Sequence, residues 1–109
     1  MSELDRLIHE PARLTIIALL SSVKEADFLD LLRATGLTKG NLSTHLVRLE
    51  EAGYVNIEKT FRGKIPLTLV RLNSVGRAAF QSYRKSMKEI LTPSKAPSKV
   101  RRVPVQLPT

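Results

Sequence analysis

The spacing of apolar positions switches from a helical period to an alternating one after Gly53, and back again after Asn73. Pro11 suits the first turn of a helix, where its missing N–H has no partner to lose, and the chain from Ala12 to Leu20 continues that helix up to Ser21-Ser22. Leu14, Ile16, Ile17, Ala18, Leu19 and Leu20 cover nearly its whole circumference, which predicts burial on more than one side, with a second subunit as one of the covers. Ahead of it, Leu4, Leu7 and Ile8 stand at i, i+3, i+4 spacing and add to the same surface. Phe28, Leu31 and Leu32 define a second helix after Asp27, closed at Thr35-Gly36, where glycine takes the left-handed conformation that ends helices. Thr38 caps a third helix, in which Leu42, Leu46 and Leu49 fall at i, i+4, i+7 and form a buried stripe up to Ala52-Gly53. Two helices joined by a short turn around Gly36 make a helix-turn-helix arrangement.

Beyond Gly53, residues 54–59 read as a strand with Val55 and Ile57 inward, and residues 67–72 as its partner, with Leu67, Leu69 and Arg71 along one face. The stretch Phe61-Arg62-Gly63-Lys64-Ile65-Pro66 between them reads as a loop with Gly63 at its tip. Asn73-Ser74 offers a cap for a last helix, with Phe80, Tyr83, Met87, Ile90 and Leu91 along one stripe. The expected fold is therefore α+β: three helices, a two-stranded hairpin and a C-terminal helix. It forms one domain over residues 1–91, followed over residues 92–109 by a flexible basic tail interrupted by Pro93, Pro97, Pro104 and Pro108.

Charge sharpens this outline. The 109 residues carry 18 Lys and Arg against 10 Asp and Glu, a net charge of +8, and the excess is uneven. The first 37 residues are net acidic, whereas ten basic side chains between Lys39 and Lys88 face only Glu50, Glu51, Glu58 and Glu89. A polyanionic partner contacted by the second half accounts for that asymmetry, with solubility as the alternative. At about 100° per residue, the face of the third helix opposite its leucines holds Gly40, Asn41, Thr44, Val47, Arg48 and Glu51. Asn, Arg and Thr are side chains that bond base edges in the major groove, and Val suits a thymine methyl. Lys39 and Ser43 are placed for phosphates, and His45, at the edge of that face, for a bond to phosphate or backbone. Lys59, Arg62, Lys64 and Arg71 gather four cations around the hairpin with Gly63 at its tip, as expected of a wing lying along a nucleic-acid backbone or reaching into the minor groove.

These residues carry a resemblance. The run from Leu37 through Asn41 to Leu46, followed by Leu49-Glu50-Glu51-Ala52-Gly53-Tyr54-Val55, resembles the recognition-helix signature of winged-helix transcriptional regulators of the MarR and ArsR type, and the likeness extends from about Leu4 to Leu91. It implies a homodimer formed by the first and last helices on double-stranded DNA, one recognition helix per half of a pseudo-palindromic site. The apolar residues that suit such a seam are Leu4, Leu7, Ile8, Ile16, Leu20, Tyr83, Met87, Ile90 and Leu91. Two family features are missing. The chain has no Cys, so the cysteine pair of ArsR-type metal sensors is not carried over, and it is too short for the full ligand-enclosing helices of MarR-type regulators, which leaves a small-molecule effector unknown.

Catalysis and cofactors are not expected. His9 and His45 lack a further ligand at helical spacing, so no metal site is read within one chain, and Ser43 and His45, two apart on a helix, do not face each other. The longest apolar run, Ile16 to Leu20, is far below the roughly 20 residues that span a bilayer, and the expected location is cytoplasmic. A winged-helix module binding protein or RNA, or a nonspecific chromatin-associated protein, is the alternative function, with Val47 and Glu51 as its support.

Overall fold

A computed structural model describes residues 4–92 and 104–105 of the chain. The elements run α1 (Pro11–Ser21), β1 (Ala26–Asp27), α2 (Phe28–Thr35), α3 (Lys39–Glu51), β2 (Val55–Arg62), β3 (Ile65–Leu72) and α4 (Ser74–Leu91). Apart from Thr92, Pro104 and Val105, the expected tail lies outside the described residues.

Local chemistry accounts for the helix ends. Glu10 caps α1, its carboxylate accepting from the Ala12 and Arg13 amides at 3.1 and 2.8 Å. Asp27 caps α2 in the same way, and Gly36, at φ +69°, ends it by returning its N–H to the Leu32 carbonyl. Thr38 Oγ1 accepts the Asn41 amide at 3.1 Å and starts α3 only three residues after α2 stops. The helix-turn-helix is thus set by a left-handed glycine followed at once by a hydroxyl cap.

The core gathers Ile16, Ile17 and Leu20 of α1, Leu31 of α2, Leu42, Leu46 and Leu49 of α3, Val55, Val70 and Leu72 of the sheet, Tyr83 of α4, and Ile8. Each of these aliphatic side chains contributes about 1.5–3 kcal/mol on leaving water. α1 sits in the middle, in contact with α2, α3, β3 and α4, so the chain itself covers Ile16, Ile17 and Leu20, while Leu14 and Leu19 are half-buried and Ala18 is exposed. Residues 4–9 form a turn rather than an extension of the helical surface: Asp5 Oδ1 accepts from the Leu7 and Ile8 amides, which drives Ile8 inward and leaves Leu4 and Leu7 half-buried.

The sheet differs from expectation in two ways. It has three strands in the order β1-β3-β2, the added β1 pairing Ala26 with Val70 and Asp27 with Leu69. Residues 61–66 are not a loop: Phe61 pairs with Pro66 and Arg62 with Ile65, so only Gly63 and Lys64 turn, with Gly63 at φ +64°. Beyond a two-residue turn the closing pair exchanges hydrogen bonds and the next pair does not. Pro66 therefore aims its missing donor away from β2, toward a side that β1 does not reach. Leu67, Leu69 and Arg71 share one face of β3 as expected, and it is the outer one, the buried face being Val70 and Leu72, opposite Ile57 and Val55.

Candidate nucleic-acid interface

Burial of Leu42, Leu46 and Leu49 sets the roll of α3 about its axis and so decides what it shows to solvent. Gly40, Asn41, Thr44, Val47 and Arg48 are all exposed along it, and Lys39 and Ser43 flank them. Thr44 donates its hydroxyl to the Gly40 carbonyl at 2.9 Å, which leaves the oxygen lone pairs and the methyl available on the outside. This face has acceptors, donors and an apolar spot, the set that distinguishes base pairs in a major groove.

His45 does not lie where a phosphate contact needs it. It turns toward α1, with Nδ1 3.2 Å from Arg13 Nη1 and 3.9 Å from Glu10 Oε2. The guanidinium and the ring thus face each other across the α1–α3 contact. Arg13 also donates from Nε to the Leu7 carbonyl at 2.6 Å, so one side chain ties the turn before α1 to α3. Burial opposes the charge on Glu10, but the Arg13 and Ala12 amides, helped by His45 and the Arg13 charge, hold its pKa below the usual value.

On the hairpin, Lys59, Arg62, Gly63 and Lys64 are exposed. Arg71 is engaged elsewhere: it donates to Glu25 at 2.9 Å and to Glu58 at 2.8 Å, bonds with Glu58 and then Glu25 that stabilise its charged form. Expected as a wing cation, it instead clasps the outer face at the hairpin base, where the two carboxylates compete with any phosphate. Phe61 and Ile65, unremarked in the sequence, are each 68% exposed at the hairpin end. Their alternation with Arg62 and Lys64 around Gly63 was the available signal.

Tyr54 joins the end of α3 to the hairpin and to α4. Its N–H donates to the Leu49 carbonyl, its own carbonyl accepts the Asn73 amide at 3.1 Å, and its hydroxyl donates to Asp5 Oδ2. The hydrogen bond to Asp5, with burial and the Asp5 charge behind it, pushes the phenol pKa up to about 12. Asn73 Nδ2 donates to the Gly53 carbonyl at 2.8 Å, while its Oδ1 caps α4 at Gly76. Gly76 rests on this seam so closely that a Cβ there would overlap the Tyr54 carbonyl oxygen.

The apolar residues assigned to a subunit seam divide. Ile8, Ile16, Leu20 and Tyr83 are buried within the chain's own core and offer a partner almost no surface. Leu4, Leu7 and Met87 are half-buried, whereas Ile90 and Leu91 are 42% and 72% exposed at the end of α4. Beside them, Leu4, Ala79, Ser82, Tyr83 and Ser86 line an open groove of about 300 Å³. Among the described residues, no three His, Asp or Glu side chains are grouped to hold a metal, and no helix is long and apolar enough to cross a membrane.

Comparison with known proteins bears on the same region. An uncharacterized protein of Methanocaldococcus jannaschii is 35% identical over 79 residues, covering 72% of this chain and 85% of its own. The solved structure of a transcriptional regulator homologue from Pyrococcus horikoshii superposes with a TM-score of 0.76 at 28% identity, covering 80% of this chain and 86% of that one. A MarR-family regulator from Enterococcus faecalis shares the fold, with a TM-score of 0.68 at 21% identity over 76% of this chain and 74% of that one. Residues 12–91, from α1 to the end of α4, match the family model of the winged helix DNA-binding domain, and the chain belongs to that family.

Proposed function

We propose that this chain is a sequence-specific regulator of transcription that binds a pseudo-palindromic site in double-stranded DNA as a homodimer, without enzymatic activity, in the cytoplasm. The observation that carries the reading is the outward face of α3, where Asn41, Thr44 and Arg48 are exposed together on a helix whose other side is locked into the core. Base reading is assigned to Gly40, Asn41, Thr44, Val47 and Arg48, and phosphate contact to Lys39, Ser43, Lys59, Arg62, Gly63 and Lys64. Ile90, Leu91 and Met87, with the neighbouring groove, supply the apolar surface for a second copy.

The test is to incubate the purified protein with sheared genomic DNA of its source at near-physiological salt and to sequence what is retained. Enrichment of a short inverted repeat supports the proposal. Retention without a shared motif replaces it with nonspecific, chromatin-like binding. No retention replaces it with a protein or RNA interaction module.

A further inference from the structure

The end of the hairpin presents large apolar side chains where the chain has no core to put them in. Phe61 and Ile65 are each 68% exposed, two rungs and one rung respectively from the Gly63-Lys64 turn. Because side chains alternate across a strand, Phe61 and Pro66 lie on one face of the tip and Ile65 and Arg62 on the other. Strand propensity alone would be met by Thr or Val, which expose less apolar area. Lys59, Arg62 and Lys64 surround the pair, and the sequence holds no Asp or Glu between Glu58 and Glu89.

Apolar side chains interspersed with cations, in a run of sequence without acids, fit a partner that is anionic outside and apolar within. Duplex DNA is such a partner: phosphates line its grooves, and the faces of its bases become reachable from the minor groove when a step opens. We propose that the hairpin tip is a minor-groove wedge. Phe61 enters a base step beside the site read by α3, Ile65 packs on the sugars lining the groove, and Arg62 and Lys64 hold the phosphates on either side. The bound DNA is then kinked, and steps that unstack easily, the pyrimidine–purine ones, are preferred at a position that α3 does not touch.

This inference rests on the DNA-binding reading, and its test separates the two. The full chain is titrated into a 30-base-pair duplex carrying the most enriched retained sequence, or a mixed sequence if none is enriched. The duplex has 2-aminopurine in the flanking step and a donor and acceptor dye at its ends. Binding is followed by anisotropy. The wedge predicts a several-fold rise in 2-aminopurine fluorescence and a shortened end-to-end distance on saturation. It also predicts that the F61A/I65A double variant loses both signals and about tenfold in affinity while keeping its salt dependence. An R62A/K64A variant should instead lower affinity and flatten the salt dependence. Both apolar positions are exposed, so thermal unfolding of F61A/I65A should match the parent and exclude misfolding. Absence of binding overturns the DNA reading itself. Binding without a fluorescence rise, or a rise and bend retained by F61A/I65A, overturns the wedge alone.

Discussion

Asn41, Thr44 and Arg48 have side chains of different length on one helix face, and the proposed function makes them separable by experiment. Arg48→Ala or Asn41→Ala should cost about 1–3 kcal/mol of discrimination at one base pair, roughly 5- to 150-fold, while barely changing the slope of affinity against salt. Competition binding against single-base operator variants measures this, and unchanged base preference would remove α3 from the groove. Tyr54 gives a prediction independent of DNA. Its folded-state pKa is raised from 10 to about 12, so the stabilisation from its bond to Asp5 is fully present below pH 10 and is lost as pH climbs through 12. Urea midpoints compared between the parent and Tyr54→Phe should differ at pH 9 and converge toward pH 12. A constant difference across that range would mean that the phenol and Asp5 are not coupled. Glu10 carries the opposite sign: its lowered pKa adds stability above the ordinary carboxylate range, which is lost on acidification.

Among the elements, the hairpin depends on a clasp. Arg71 bonds Glu58 on the neighbouring strand and Glu25 just before β1, drawing the outer face together where β1 is only two residues long. Exposed ion pairs are worth little singly, so Arg71→Ala should lower stability only slightly. It should nonetheless speed amide exchange in β1 and at the base of the hairpin, and unaltered exchange there would show that the clasp is idle. Such pairings also mark where the sequence stops being legible. α3 could be read because Leu42, Leu46 and Leu49 repeat over three turns, and α2 because Gly36 and Thr38 sign its end and the next start. β1 could not, since two residues carry no period. The hairpin was read too short because Gly63 and Pro66 are ordinary loop signals, and only the strand register places Pro66 inside β3. The faces of β3 were ambiguous, with leucines on one side and Val70 and Leu72 on the other. At the interface, the α3 residues opposite the leucines followed from periodicity. His45, about 60° from Leu42, stood at a boundary that only its Arg13 partner, 32 residues away, decides. Arg71 was misassigned for the same reason, since Glu25 is 46 residues distant.

For the whole molecule, Ile16 and Leu20 of the first helix face the chain's own core, and the exposed members of the apolar set assigned to a seam are Ile90 and Leu91 at the far end of α4. Ile90→Asp with Leu91→Asp should therefore dissociate a homodimer without unfolding the monomer, because both side chains are already in water. Analytical ultracentrifugation and thermal unfolding together check this, and a dimer that survives the pair places the interface elsewhere. Gly76 bears on the geometry of such a dimer. It brings the start of α4 against the Tyr54 carbonyl with no side chain between, while Asn73 bonds both ends of the α3–β2 turn. No compliant joint separates the helix that would hold two copies together from the helix that would read each half-site. Two recognition helices mounted this way stand at one fixed separation, so an operator lengthened or shortened by a few base pairs between its halves should be refused outright rather than bound by a stretched dimer.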